Sequence, residues 1–103
     1  MSCQVVTILG PEDIKAGGSD TLTCRADGLP DSLTLMWVRE RGSPIPNKHQ
    51  LDDRNGILVL QRFDQSDAGQ YTCQIKSIND GRVVAEASIT VMIREFIPNI
   101  YLT

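Results

Sequence analysis

Several absences narrow the reading of this sequence before any pattern in it is weighed. No run of apolar residues approaches the roughly 20 that a helix needs to cross a bilayer, so this segment is not expected to insert into a membrane. Positive charge is not in excess either. The 10 basic and 13 acidic residues leave a net charge of −3, which offers phosphate backbones and anionic lipid no broad positive field, and nucleic acid is not an expected partner. Histidine occurs once, as His49 beside Lys48 in a polar stretch. With no cysteine or serine brought near it, it reads as a solvated loop residue rather than half of a catalytic dyad. Metal ligands are missing as sets: there is no Cys-x-x-Cys and no carboxylate run with calcium-loop spacing. Asp52 and Asp53, adjacent in a loop, read as solvated acids. Neither a metal site nor a cofactor is expected, and no enzyme. Asn47, Asn55, Asn79 and Asn99 all lack a hydroxyl residue two places on, so N-linked glycan is not expected and every face stays open to protein contacts.

What is present is a modest hydrophobic share, 41% of 103 residues, enough for one core of a size that is usually marginal without a staple. Apolar residues recur at a period of two in short runs, punctuated roughly every 8–12 residues by Gly, Pro, Asn or Asp, which is the pattern of an all-β sandwich or barrel. A first strand is expected over Gln4–Leu9, broken by Gly10-Pro11 so that Ile14 continues on the opposite sheet. Gly17-Gly18 turns the chain into Asp20–Ala26, where alternation points Leu22, Cys24 and Ala26 inward. Leu33, Leu35 and Trp37 form the next inward set, in a strand from Thr34 to Arg39. Gly42-Ser43-Pro44-Ile45-Pro46 holds two prolines that cannot donate to a ladder and is expected as an edge or loop. Ile57–Gln61 places Leu58 and Leu60 inward, with Phe63 following. Phe63–Ala68 is the best helix candidate, a short connection with two aspartates. Gly69–Lys76 places Tyr71, Cys73 and Ile75 inward, and Asn79-Asp80-Gly81 closes a tight hairpin onto a long strand, Arg82–Ile93.

Two inward cysteines, Cys24 and Cys73, lie 49 positions apart on strands expected to belong to different sheets, with inward Trp37 between them, a spacing suited to an inter-sheet bridge. Just before Cys73 runs Asp67-Ala68-Gly69-Gln70-Tyr71-Thr72. Tyr71 is placed to form a tyrosine corner, with its ring buried and its hydroxyl returning to backbone near Asp67. Asp67 has local amides to satisfy in the turn, and Gly69 gives the chain room to begin its strand.

Together Cys24, Trp37, Leu58-x-Leu60 and Asp67-x-Gly69-x-Tyr71-x-Cys73 resemble the immunoglobulin superfamily over about residues 4–93. The resemblance implies a Greek-key β-sandwich of two antiparallel sheets. Because the span from Trp37 to Leu58 is too short for two well-formed extra strands, the likeness is to the intermediate set (I-set). Within that set, Trp37-Val-Arg39-Glu-Arg-Gly42-Ser-Pro44-Ile-Pro46 is similar to the tandem modules of perlecan-type basement-membrane proteoglycans, with neural adhesion molecules of the NCAM and fasciclin type nearly as close. It implies a non-catalytic, extracellular protein-binding and spacer module, secreted or at the cell surface. A cytosolic muscle or cytoskeletal domain acting as a mechanical scaffold, and a ligand-binding receptor ectodomain, are the alternatives. The domain is expected over residues 1–93, with 94–103 a linker or the start of another module. Read this way, Met1 would be an added start and the native chain would continue on both sides.

Strand parity also suggests where a partner docks. Met36, Val38, Thr72, Gln74, Val84, Glu86 and Ser88 face outward from one sheet as apolar residues amid small polar ones, the make-up of a transient interface; the partners expected there are matrix or adhesion proteins, or a second copy. A rival surface is the basic set Arg39, Arg41, Lys48 and Arg54, suited to sulfated glycan or an acidic protein. Leu51-Asp52-Asp53 resembles the Leu-Asp-x peptides that integrins read from immunoglobulin loops. Cys3 is an odd cysteine, either a passive thiol, a residue whose partner lies elsewhere, or a site of intermolecular pairing.

Overall fold

The computed structural model describes residues 5–95, and these build eight strands in two facing sheets. One sheet contains β1 (Thr7–Leu9), β3 (Asp20–Arg25), β5 (Gln50–Asp52) and β6 (Ile57–Leu60); the other contains β2 (Asp13–Lys15), β4 (Leu33–Arg39), β7 (Gly69–Ser77) and β8 (Val83–Arg94). Their spatial orders, β1-β3-β6-β5 and β2-β8-β7-β4, give the Greek-key connectivity in which chain neighbours repeatedly fall on opposite sheets. The helical content of the described residues is three single 3-10 turns, Glu40–Gly42, Asp53–Asn55 and Gln65–Asp67, the last inside the connection expected from the two aspartates.

Alternation along the strands builds the core. Leu22, Leu58, Leu60, Phe63, Tyr71, Cys73, Ile75 and Val91 are fully buried, joined by Ile14, Cys24, Leu35 and Trp37. Ala85, Ile89 and Ile93 pack against this cluster from β8.

Pairing begins at Thr7, and Gln4, like Cys3, lies outside the described residues. The sheets are not wholly antiparallel, because β2 runs parallel to β8. After the break at Gly10-Pro11 the chain joins the opposite sheet beside the last strand, running in the same direction as it. Between Trp37 and Leu58 there is one strand, β5, and it joins β6 in the first sheet. Beyond β4 a hairpin begins and stops. Arg41 and Gly42 take φ of 57° and 77°, Ser43 N–H donates to Glu40 O and Arg39 N–H donates to Ser43 O, and then Pro44 and Pro46, lacking N–H groups, extend no ladder. The β7–β8 hairpin closes with Gly81 at φ 72° and the Asp80 carboxylate accepting from Arg82 N–H. Since β8 runs through Arg94, the strand continues just into the expected 94–103 linker, most of which lies outside the described residues.

Candidate functional site

The centre of the molecule is a covalent clamp with an indole against it. Cys24 and Cys73 are bonded across the two sheets, with Cα atoms 6.3 Å apart. Trp37, paired with Cys73 on the neighbouring strand, is 1% exposed and sits in the same cluster as Leu22, Leu35, Leu58, Leu60 and Tyr71. The buried indole donor finds its partner at Gly56, whose carbonyl accepts from Trp37 Nε1 at 3.0 Å and from Cys24 N–H at 2.7 Å. Gly56 adopts φ 71°, and a Cβ there would be driven into the carbonyl oxygen of Cys24. The sequence reading missed Gly56. Its signal was Asn-Gly in a turn directly before an inward strand.

Asp53 is no solvated acid. Its carboxylate accepts from Trp37 N–H at 3.0 Å, taking a donor on the edge of β4 that no strand covers. Asp52 accepts from both the main-chain N–H and the side-chain amide of Asn55, so of the two carboxylates of Leu51-Asp52-Asp53 one holds its own turn and the other reaches across to β4. Short Asp side chains bend back to nearby amides, and that competes with solvent.

The tyrosine corner is present: Tyr71 Oη donates to Asp67 O at 2.7 Å, and burial pushes the phenol up to about 12. Arg39 lies over the ring, its guanidinium carbon 4.6 Å from the centroid, and donates to the carbonyls of Ser66 and Ala68. Gly69, at φ 138°, leaves space that the side-chain ends of Arg39 and Glu40 occupy. Asp67 accepts from Asp64 N–H at 2.8 Å, the local role expected of it, but it also holds a charged cluster that the sequence did not disclose. Buried Asp67 receives the ammonium of Lys48, which reaches Asp64 at 3.1 Å and Arg62 O at 3.0 Å as well. His49, read as solvated, has a side chain with no exposed surface. Its Nδ1 accepts from Gln61 N–H at 3.0 Å, which leaves Nε2 to donate to Asp67 Oδ1 at 3.0 Å. With both ring nitrogens bonded, burial of a polar ring costs little. The hydrogen bond that Lys48 donates to Asp67 is the main cause raising its ammonium above the usual range, and the Ser66 hydroxyl, followed by Lys48, holds the Asp64 carboxyl well below its own. These contacts tie the segment before β5 to the turn after β6.

The outward residues of the second sheet line up in rows, Met36–Gln74–Glu86 and Val38–Thr72–Ser88. Thr72 Oγ1 and Ser88 Oγ share a hydrogen bond of 2.8 Å, and Gln74 donates to Glu86 at 3.3 Å. Two members differ from expectation: Val38 and Thr72 are buried, at 3% and 8% exposed. Met36 is half-buried, while Val84, the extra residue of a bulge, is exposed. The result is a shallow hollow of about 420 Å³ with Val38 at its floor and Arg41, Gln70, Thr72, Glu86 and Ser88 around it. The basic set does not assemble. Lys48 is engaged by Asp64 and Asp67, Arg39 covers Tyr71, and Arg54 lines a different hollow with Leu29, Pro30 and Ile78. Among the described residues no three His, Cys, Asp or Glu side chains gather as metal ligands, and no helix is long and apolar enough to cross a membrane.

Residues 4–77 match the family model of the immunoglobulin domain. Over 82 residues, or 78% of this chain, the sequence is 39% identical to mouse contactin-3, of which that stretch is 8%. It is 32% identical over 62 residues to the mouse basement membrane-specific heparan sulfate proteoglycan core protein, covering 60% of this chain and 2% of that one. The chain thus spans under a tenth of these curated relatives. In solved structures, the first four immunoglobulin domains of sidekick-1 superpose with a TM-score of 0.70 at 22% identity, covering 89% of this chain and 24% of that one, a likeness of fold. The relatives are extracellular and cell-surface proteins, the setting in which a structural disulfide persists. With the bridge, the buried indole and the tyrosine corner all in place beneath that match, the chain belongs to the immunoglobulin domain family.

Proposed function

We propose that this chain is a non-catalytic protein-binding and spacer module of an extracellular matrix or adhesion protein, and that it engages a protein partner through the outer face of its second sheet. The observation that supports this face is the hollow over Val38. It combines a covered apolar floor with hydroxyl and amide groups in rows and an arginine at the rim, as partner-facing surfaces combine an apolar centre with a polar border. The relatives in matrix and adhesion proteins support the role, and the lack of a glycan acceptor leaves the face open.

The test is binding of the immobilised domain to matrix and cell-surface proteins, compared with variants whose folding is verified by melting. Ser88→Arg fills the hollow and Met36→Asp places a charge beside it, whereas Thr21→Arg alters the opposite sheet. Loss of binding in the first two and retention in the third is the expected result. Binding that survives Ser88→Arg and fails with Thr21→Arg would move the site to the first sheet and overturn the choice of face. The spacer role in a cytosolic setting is separated by redox: stability indifferent to reductant would contradict an extracellular module that depends on its bridge.

A further inference from the structure

The Asn55-Gly56 pair combines a chemically labile dipeptide with the carbonyl on which the core is hung. A glycine peptide nitrogen, unhindered by a Cβ, is the nucleophile best able to attack a preceding asparagine side chain. In that step Gly56 N bonds to Asn55 Cγ, the Cγ–Nδ2 bond breaks, and ammonia leaves with the former amide proton of Gly56. Water then opens the cyclic imide at either carbonyl, giving aspartate or isoaspartate. In isoaspartate the main chain runs through the side-chain carbon and is one atom longer.

Both reacting groups are tied in the folded turn. Asn55 Nδ2 donates to Asp52 Oδ2 at 2.9 Å and Gly56 N–H donates to Asp53 O at 3.1 Å, while the Asp53 carboxylate is itself fixed by Trp37 N–H. Asn55 is exposed and Gly56 is buried. Ring closure therefore requires the Asp52–Gly56 turn to open, a local event far smaller than unfolding. Its consequence is not local. The longer backbone of isoaspartate displaces the Gly56 carbonyl from Cys24 N–H and Trp37 Nε1, two buried donors that cannot follow it.

We propose that Asn55 is a deamidation site gated by opening of the Asp52–Gly56 turn, and that conversion to isoaspartate releases the main-chain anchor of the disulfide and the indole. Each opening of the turn then carries a chance of a covalent change that does not reverse, so an ageing domain loses its anchor before it loses its bridge. Asn47 and Asn79, followed by Lys48 and Asp80, are internal comparisons because a side chain hinders the attacking nitrogen.

The experiment incubates the intact oxidised chain at mildly alkaline pH, natively, in concentrated urea, and as the Asp52→Ala variant, and maps isoaspartate at position 55 by peptide mass spectrometry. The native chain should convert at least about tenfold more slowly than the unfolded one, since only the opened turn reacts, with Asp52→Ala between them and position 55 ahead of 47 and 79. The purified isoaspartate form should melt below both the parent and Asn55→Asp, which carries the charge without the longer backbone. Equal rates folded and unfolded would remove the gate. An isoaspartate form melting together with Asn55→Asp would remove the anchor.

Discussion

At Gly56 the main chain turns through positive φ with its carbonyl facing two buried donors and no room for a methyl group. Gly56→Ala therefore meets both backbone strain and a steric clash, and should cost at least about 2 kcal/mol in urea denaturation with an unchanged slope. Gly81, at a similar φ but with nothing near its absent Cβ, should lose about 1 kcal/mol on the same change. At Tyr71 the hydroxyl donates to Asp67 O and burial raises the phenol to about 12. A folded state that keeps its proton to higher pH than the unfolded chain has this contribution in full below about pH 10 and loses it as pH climbs towards 12. Stability followed across that interval should fall more steeply in the parent than in Tyr71→Phe, which starts about 1 kcal/mol lower for the lost hydrogen bond.

Among elements, the turn between β6 and β7 and the segment before β5 stabilise each other through Lys48, His49, Asp64 and Asp67. Asp67→Asn leaves Lys48 and His49 without their shared carboxylate and should cost about 2–3 kcal/mol. The loss should appear as faster hydrogen exchange at Gln61 and Asp64 in particular, whose N–H groups His49 and Asp67 receive. The Asp64 carboxyl, held low by the Ser66 hydroxyl and Lys48, contributes stability that is full above the ordinary carboxylate range and is lost as pH falls below that range towards the lowered folded-state value. Lys48, raised by Asp67, contributes stability present below the ordinary lysine range and lost as pH rises beyond it. Asp64→Asn should flatten the acid limb and weaken the alkaline limb only in part, because Asp67 remains as the larger cause holding Lys48 raised. At β4, Asp53 and the aborted hairpin at Pro44 occupy donors along an edge that would otherwise accept a foreign strand. Asp53→Ala should destabilise the domain and raise its tendency to self-associate, measured by light scattering.

For the whole molecule the bridge sets the scale. It closes a loop of 49 positions, and replacing Cys24 and Cys73 with alanine should remove about 4 kcal/mol, much of what a domain of this size has. Equal melting of oxidised and reduced protein would contradict that. The alternation of Leu22 with Cys24, of Leu35 with Trp37 and of Tyr71 with Cys73 and Ile75 was legible because a strand's period of two is written locally: each residue's face follows from its neighbours'. So the sandwich, its bridge and its tyrosine corner followed from the chain alone, as did the hairpin at Asn79-Asp80-Gly81 and the strand-breaking prolines.

The tertiary structure alone decided the polar interior and the surface. Whether His49 meets water or Asp67, whether Asp53 is solvated or bonded to Trp37, and whether Val38 is bare or covered depend on groups distant along the chain that approach only after folding. A polar side chain can be satisfied by water or by protein equally well, and no local period distinguishes the two. Apolar groups on the inward face of a strand have no such choice, which is why the core could be read from the sequence while the polar interior and the cover over outward Val38 could not.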